Sequence, residues 1–303
     1  MRICIFGAGS LGSALGGILS SEHEVTLIGR KPHVDAINRT GLRLIGDVKM
    51  LVRPVARESL LSSDCPDLLI VATKAYDTME AVSECRRLTP GHTKVLTLQN
   101  GLGNLEILRG WKGARAFGGY TTMGAVLLSP GKVRISGLGK TVVGADRDPR
   151  GAEKIAAAFS SCGIPTSVEE DVISMIWTKA VVSACINPLT SMLRIENGRL
   201  LESAVVAKLM SDVCGECVAV ADSEGYHLVQ RNLYSRVRSV ARDTADNRSS
   251  MLQDIEHGRK TEIDQINGVF WQKGSDNGVA TPLNKCLAAI VKALEAQSAA
   301  QKS

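Results

Sequence analysis

Several features are scarce in this chain of 303 residues, and each scarcity excludes a class of protein. Aromatic residues make up only 4% of it. No dense Lys/Arg stripe interleaves with them, so the stacking platforms and charged grooves of a nucleic-acid binder are missing. The formal charge of +5 is modest and scattered, which suits the handling of small anions better than a polyanion. No apolar run approaches the roughly 18 residues that a membrane span requires. No signal peptide is expected, because the N-terminus runs straight into an apolar strand and a glycine turn. The expectation is a cytoplasmic protein with neither membrane nor nucleic-acid partners. The five histidines, at 23, 33, 92, 227 and 257, show no HxxxH or HExxH spacing, so no metal site is expected. There is no internal repeat and no low-complexity tract.

Cysteine is present without a pattern. Most of the eight sit inside apolar segments, as reduced and buried small hydrophobes do. Cys214-Gly-Glu-Cys217 is the one suggestive pair. A redox CxxC opens a helix after a strand, and a zinc site needs two further ligands at suitable spacing. This pair lies within the helical pattern Val205 to Ala221, so core packing is the better reading.

Glycine is plentiful, with 29 residues, and the first six of them organise the chain. Arg2-Ile-Cys-Ile-Phe6 is a short apolar run suited to a buried parallel strand. Gly7-Ala-Gly-Ser-Leu-Gly12 follows, then a helical stretch from Ser10 to Ser20 and a second strand, Glu24-Val-Thr-Leu-Ile28. A bare GxGxxG also occurs in chance turns; a strand ahead and a helix behind select the dinucleotide reading. In that reading Gly7 makes the tight turn, Gly9 admits a pyrophosphate and Gly12 brings helix and strand together. The helix N-terminus then offers free N–H groups to phosphate. After the second strand an NAD site carries Asp or Glu, but here Gly29 is followed by Arg30 and Lys31. A guanidinium can grip a 2′-phosphate that a carboxylate would repel, so NADP(H) is the predicted cofactor. The alternative is that both are solvated loop charges.

Asp67-Leu-Leu-Ile-Val-Ala72 reads as another buried strand, ending in Thr73-Lys74-Ala75-Tyr76. Ligands bind beyond the carboxyl ends of such strands, which brings Lys74 toward cofactor phosphate or substrate carboxylate; a solvated loop lysine is the alternative. Lys94 to Leu98 is the next strand and delivers Gln99-Asn100-Gly101, where Asn100 presents an amide or simply makes a turn. From 116 to 145 the alternation predicts antiparallel or mixed strands completing the sheet. A helix over 152–161 and an edge strand over 164–168 follow. Beyond Glu170 long helical segments dominate, ending in a frayed tail over 297–303. The fold class is therefore α/β: a Rossmann-type NADP-binding domain over 1–170, then an all-helical substrate-binding and catalytic domain over 171–303, with the substrate cleft expected between them.

Two stretches of the helical half carry chemistry. In Ile176-Trp-Thr-Lys179 through Thr190, Lys179, Ser183 and Asn187 are spaced i, i+4, i+8 along one side of an apolar helix. Partial burial lowers a lysine's proton affinity, which helps it donate at neutral pH; a snorkelling lysine is the alternative. In the second stretch Ser250 precedes or caps one helix, and Glu262 lies near the start of another, spanning 261–273. On spacing alone Glu262 reads as a capping device.

Taken together, these strings resemble the ketopantoate reductase (2-dehydropantoate 2-reductase) family through nearly the whole chain. The most specific are Asn187-Pro-Leu-Thr190, Ser249-Ser250-Met-Leu-Gln-Asp254 and Thr261-Glu262-Ile-Asp264. The resemblance implies that Lys179 is the general acid, that Glu262 holds the substrate hydroxyl, and that Asn187 and Ser250 bond substrate. It assigns Gly7, Ala8, Gly9, Ser10, Leu11, Gly12, Arg30, Lys74 and Asn100 to the cofactor or the cleft, Asn100 also to substrate, and implies a homodimer. Where the best-known members carry a substrate-contacting Asn one turn after the lysine, this chain has Ser183, whose reach is shorter. The implied function is NADPH-dependent reduction of a small 2-oxo acid, ketopantoate to pantoate, on the route to pantothenate and coenzyme A. The alternatives are a reductase of a different small 2-oxo acid and an NADP sensor without turnover.

Overall fold

The computed structural model describes residues 1–111, 115–144, 148–228 and 230–300. The chain forms two compact units. One comprises Met1–Gln99 and Asn104–Ile173; the other takes Asn100–Gly103 together with the chain from Ser174 onward. The division in space is therefore not a single cut in the sequence.

The first unit contains, in chain order, β1 (Arg2–Phe6), α1 (Ser10–Leu19), β2 (Glu24–Ile28), α2 (Lys31–Thr40), β3 (Leu42–Gly46), β4 (Met50–Val52), β5 (Val55–Arg57) and β6 (Leu68–Val71). It continues with α3 (Thr78–Leu88), β7 (Lys94–Thr97), α4 (Asn104–Arg109), β8 (Arg115–Thr121), β9 (Gly124–Ser129), β10 (Lys132–Gly137), β11 (Thr141–Gly144), α5 (Pro149–Ser161) and β12 (Thr166–Val168). The main sheet runs β12-β11-β8-β7-β6-β1-β2-β5, and the six strands from β8 to β5 are mutually parallel. At its centre all four residues of β6 are buried, as a strand covered on both faces must be.

A second sheet, β4-β3-β10-β9, corrects one expectation. Of the strands in 116–145, only β8 and β11 complete the main sheet, whereas β9 and β10 join the β3–β4 hairpin. The alternation that makes a strand says nothing about its partner. Here Val133 and Ile135 of β10 are buried with Leu42 and Leu44 of β3 in one core with α1. The small residues of α1 follow from that position. A Cβ on Gly16 would collide with Leu27 of β2, and one on Gly17 would lie 2.8 Å from Leu44 of β3. The helix is thus packed tightly on both sides. Strand β5, with three residues and one buried side chain, gave no periodic signal.

The second unit is helical: α6 (Val172–Leu193), α7 (Ala204–Ser223), α8 (Gln230–Asp243), α9 (Ser250–Glu256), α10 (Val269–Asp276) and α11 (Pro282–Ala300). The expectation about apolar runs is corrected here. Helix α6 is continuous for 22 residues, and its best 18-residue stretch has a mean hydropathy of 1.4, long and apolar enough by composition to cross a bilayer. The polar side chains that interrupt the run, Lys179, Ser183 and Asn187, fall on one side, so they do not interrupt the helix. Of that stretch 56% is buried within the protein. Trp177 packs against Tyr226 and Phe270, with ring centroids 5.0 and 5.8 Å away, as a core helix does.

Three boundaries also differ from expectation. Ser249, not Ser250, caps α9, its Oγ accepting from Leu252 N at 3.1 Å. The helix expected over 261–273 is a π turn at Asp264–Gly268 running into α10. Helix α11 extends through Ala300, so most of the expected tail is helical, and 301–303 lie outside the described residues.

Candidate active site

In the first unit the glycine turn performs three separate jobs. Gly7 has φ +106°, and a Cβ there would lie 2.5 Å from Thr73 N, at the end of β6. Gly12 has no room either, because a Cβ would strike the Gly7 carbonyl. Gly9 is the opposite case, with nothing within 4 Å of its Cβ position. The backbone is thus tight at both ends and open in the middle. Gly9 is also the N-cap residue of α1, whose first turn holds no acidic side chain. The N–H groups of Ser10, Leu11 and Gly12 begin the helix and have no intrahelical acceptor. Ala8 is held by its N–H to Ile28 O at 2.7 Å, and Ser10 Oγ accepts from Leu127 N at 3.0 Å. An open glycine at a helix N-terminus free of carboxylates fits a pyrophosphate.

Arg30 is the N-cap residue of α2 and is exposed. Among the described residues its side chain has no ion-pair partner. Lys31 does: Asp35 at 3.2 Å and Glu58 at 3.9 Å. Of the two cations, Arg30 is the one available to an anion. Lys74 follows β6, half-buried, at the start of a short 3-10 turn, Ala75–Asp77. A residue that sequence reasoning treated only as part of a string holds this loop. The buried Gln99 donates from Nε2 to Thr73 O at 2.8 Å and to Thr78 Oγ1 at 2.9 Å, while its Oε1 accepts from Thr97 Oγ1. A lone glutamine after a strand carries no sequence signal for such a role.

The second unit brings three of the expected site residues together, a lysine, an amide and a carboxylate. Lys179 Nζ donates to Asn100 Oδ1 at 2.8 Å, and Asn100 Nδ2 reaches Glu262 Oε2 at a long 3.4 Å. Seventy-nine and 162 residues separate these pairs, so only the fold brings them together. The loop bearing Asn100 is seated by backbone. Gly101 has φ +81° with Gln265 O against the position a Cβ would fill, and Leu102 N donates to Gln265 O at 3.1 Å. The Asn-Gly pair is therefore both a turn and a close approach. Glu262 is only 7% exposed, which a capping carboxylate on a helix surface would not be. Burial lowers the Lys179 ammonium from 10.5 to about 8, and the nearby Glu262 carboxylate opposes that shift. At neutral pH the lysine keeps its proton but holds it loosely.

Ser183 and Asn187 lie one and two turns beyond Lys179 on α6, both half-buried. Among the described residues their side chains, and that of the exposed Ser250, have no hydrogen-bond partner. Ser250 is tied to the same helix through its neighbour. Thr190 Oγ1 lies 2.7 Å from Ser249 Oγ and 3.0 Å from the Asn187 carbonyl. The structure thus gathers Asn100, Lys179 and Glu262 directly, and Ser183, Asn187 and Ser250 through α6 and the α9 cap. Gly7–Gly12, Arg30 and Lys74 belong to the other unit. Cys214 and Cys217 are free thiols buried in α7.

Residues 3–148 match the family described as ketopantoate reductase PanE/ApbA, and residues 171–295 match its C-terminal region. A 2-dehydropantoate 2-reductase of Pyrococcus abyssi is 38% identical, covering 98% of each chain. A PanE/ApbA family ketopantoate reductase from Ralstonia eutropha JMP134 superposes with a TM-score of 0.91 at 31% identity, covering 98% of this chain and 99% of that one. D-mandelate dehydrogenase, in a ternary structure with NADH and anilino(oxo)acetate, superposes at 0.92 with 30% identity and the same coverage. With both the α/β unit and the helical unit matched in order, the chain belongs to the ketopantoate reductase family.

Proposed function

We propose that the chain reduces ketopantoate to pantoate with NADPH, and that Lys179 is the proton donor. The observation that carries this reading is the half-buried lysine bonded to Asn100 with Glu262 alongside. A bound nicotinamide supplies hydride to the ketone carbon. Lys179 stabilises the negative charge that develops on the ketone oxygen and hands it the proton from Nζ; a pKa near the working pH makes that transfer efficient. Asn100 fixes the direction of Nζ. Glu262 holds the substrate hydroxyl, and Asn187 and Ser250, with unengaged side chains, complete the grip that sets the attack geometry. Gly9 and the α1 N-terminus receive the pyrophosphate, and Arg30 the 2′-phosphate.

A second reading concerns the acceptor. Ser183 is small, and the likeness to D-mandelate dehydrogenase is as close as that to the Ralstonia reductase. Both favour testing a different small 2-oxo acid. The deciding experiment follows dinucleotide oxidation with ketopantoate and a panel of 2-oxo acids, NADPH and NADH in parallel. The highest kcat/KM is expected for ketopantoate with NADPH. A much better 2-oxo acid would transfer the assignment to the second reading, and equal use of NADH would remove the role of Arg30.

A further inference from the structure

Helix α6 has a gap in its own hydrogen bonding. Pro188 has no N–H, so the carbonyl of Ala184 loses the donor that an α-helix supplies. Ala184 is fully buried, where an unpaired carbonyl is costly. The donor comes from another segment: Asn267 Nδ2 bonds Ala184 O at 3.1 Å. Asn267 is 0% exposed and lies in the π turn Asp264–Gly268. Its second N–H goes to Asn284 Oδ1 at 2.9 Å, and Asn284 Nδ2 goes on to Glu216 Oε2 at 2.8 Å. Chemistry fixes the amide orientation, since a flipped Asn267 would aim its oxygen at two acceptors.

The same π turn anchors both partners of Lys179. Glu262 precedes it by two residues, and the Glu262 carbonyl accepts from Gln265 N at 3.0 Å. Gln265 O in turn seats the loop that bears Asn100. Lys179 lies five residues before Ala184 on α6. We propose that Asn267 is a positioning residue: by filling the gap that Pro188 leaves at Ala184, it holds Glu262 and Asn100 in register with Lys179. This inference rests on Lys179 being the acid.

The test uses Asn267→Ala, Pro188→Ala and the double variant. Three quantities are read: steady-state turnover of ketopantoate with NADPH, Tm, and the Lys179 titration midpoint by NMR. Asn267→Ala should lower kcat about ten- to a hundredfold, as a misplaced catalytic group does. The Lys179 midpoint should fall below its value of about 8, because the ammonium loses its polar partners. Adding Pro188→Ala returns a helical donor to Ala184. It should therefore restore Tm, and it supplies a folded background if Asn267→Ala alone does not fold. In the double variant kcat and the midpoint should stay low. Recovery of kcat together with Tm would reduce Asn267 to a stabilising residue and overturn the proposal, as would wild-type kcat in Asn267→Ala. If Lys179→Ala keeps its turnover, the acid assignment fails on its own; the NMR midpoint still decides the positioning, and an unmoved midpoint overturns it.

Discussion

The two units build their chemistry by opposite means. In the first, the glycine turn proposed to hold the pyrophosphate depends on side chains that are missing. Gly7 and Gly12 exist because a Cβ would collide with backbone, and Gly9 leaves an open face. In the second, the proposed site of Lys179, Asn100 and Glu262 is made of side chains that are present and partly or wholly withdrawn from water. A backbone site binds an anion through N–H groups that cannot change protonation. A buried side-chain site tunes a proton, since desolvation moves Lys179 to about 8. That division suits a reaction in which one partner must be held and the other must give up a proton.

The contrast can be broken, and the largest effect is expected at the lysine. Lys179→Ala should lower kcat about a hundred- to ten-thousandfold, the usual contribution of a general acid, with circular dichroism unchanged. In the wild type, kcat should fall as pH rises through about 8, because the ammonium that donates is lost above that value. A pH-independent kcat, or near-normal turnover in the variant, would end the acid assignment.

Next come the two glycines. Gly7→Ala puts a Cβ 2.5 Å from Thr73 N at a φ of +106° and should cost about 3 kcal/mol of stability in a denaturant titration. Gly9→Ala, with open space around it, should leave the midpoint nearly unchanged while weakening dinucleotide binding by calorimetry. Equal stability losses would show that the turn is not open in the middle.

A smaller effect is expected at Arg30. Arg30→Gln should raise the KM for NADPH about tenfold or more, the worth of a charge-assisted hydrogen bond, and leave that for NADH unchanged. A parallel rise for both cofactors would mean that the guanidinium does not meet the 2′-phosphate.

The smallest effect sharpens the backbone side of the comparison. His33 is buried between Ser13 Oγ, 2.9 Å from Nε2, and Gly131 N, which donates to Nδ1 at 3.0 Å. Nδ1 must therefore stay unprotonated, and burial holds the imidazole pKa below its ordinary 6.5. The unfolded chain takes up a proton more readily than the folded one. The stability His33 contributes is full above 6.5 and is lost as pH falls toward the lowered folded value. Tm measured against pH should show this acid decline, and His33→Gln should flatten it.

How much of this was legible in the sequence differs between elements for physical reasons. The βαβ start was readable because an apolar run, a glycine turn and a second run are all local. The basic pair after Gly29 was readable as a local string, and its two readings, a 2′-phosphate grip or solvated charge, are equally local. Partner choice was not local: β9 and β10 alternate as main-sheet strands do, yet β10 pairs with β3 and carries β9 into the second sheet. The length of α6 was hidden because Lys179, Ser183, Asn187 and Pro188 broke the apolar count without breaking the helix. Glu262 read as a cap because its burial depends on segments far away in the chain.

By itself the sequence determined the strand–turn–helix that would hold a dinucleotide and the polar stripe Lys179–Ser183–Asn187. Periodicity and glycine placement act over a few residues, and local sterics enforce them. Only the tertiary structure decided that Asn100 leaves the α/β unit to meet Lys179, and that Glu262 is buried beside it. It alone shows that Asn267 supplies the donor Pro188 cannot. Those contacts join residues more than seventy positions apart, and the burial that gives them their strength exists only once the chain has folded.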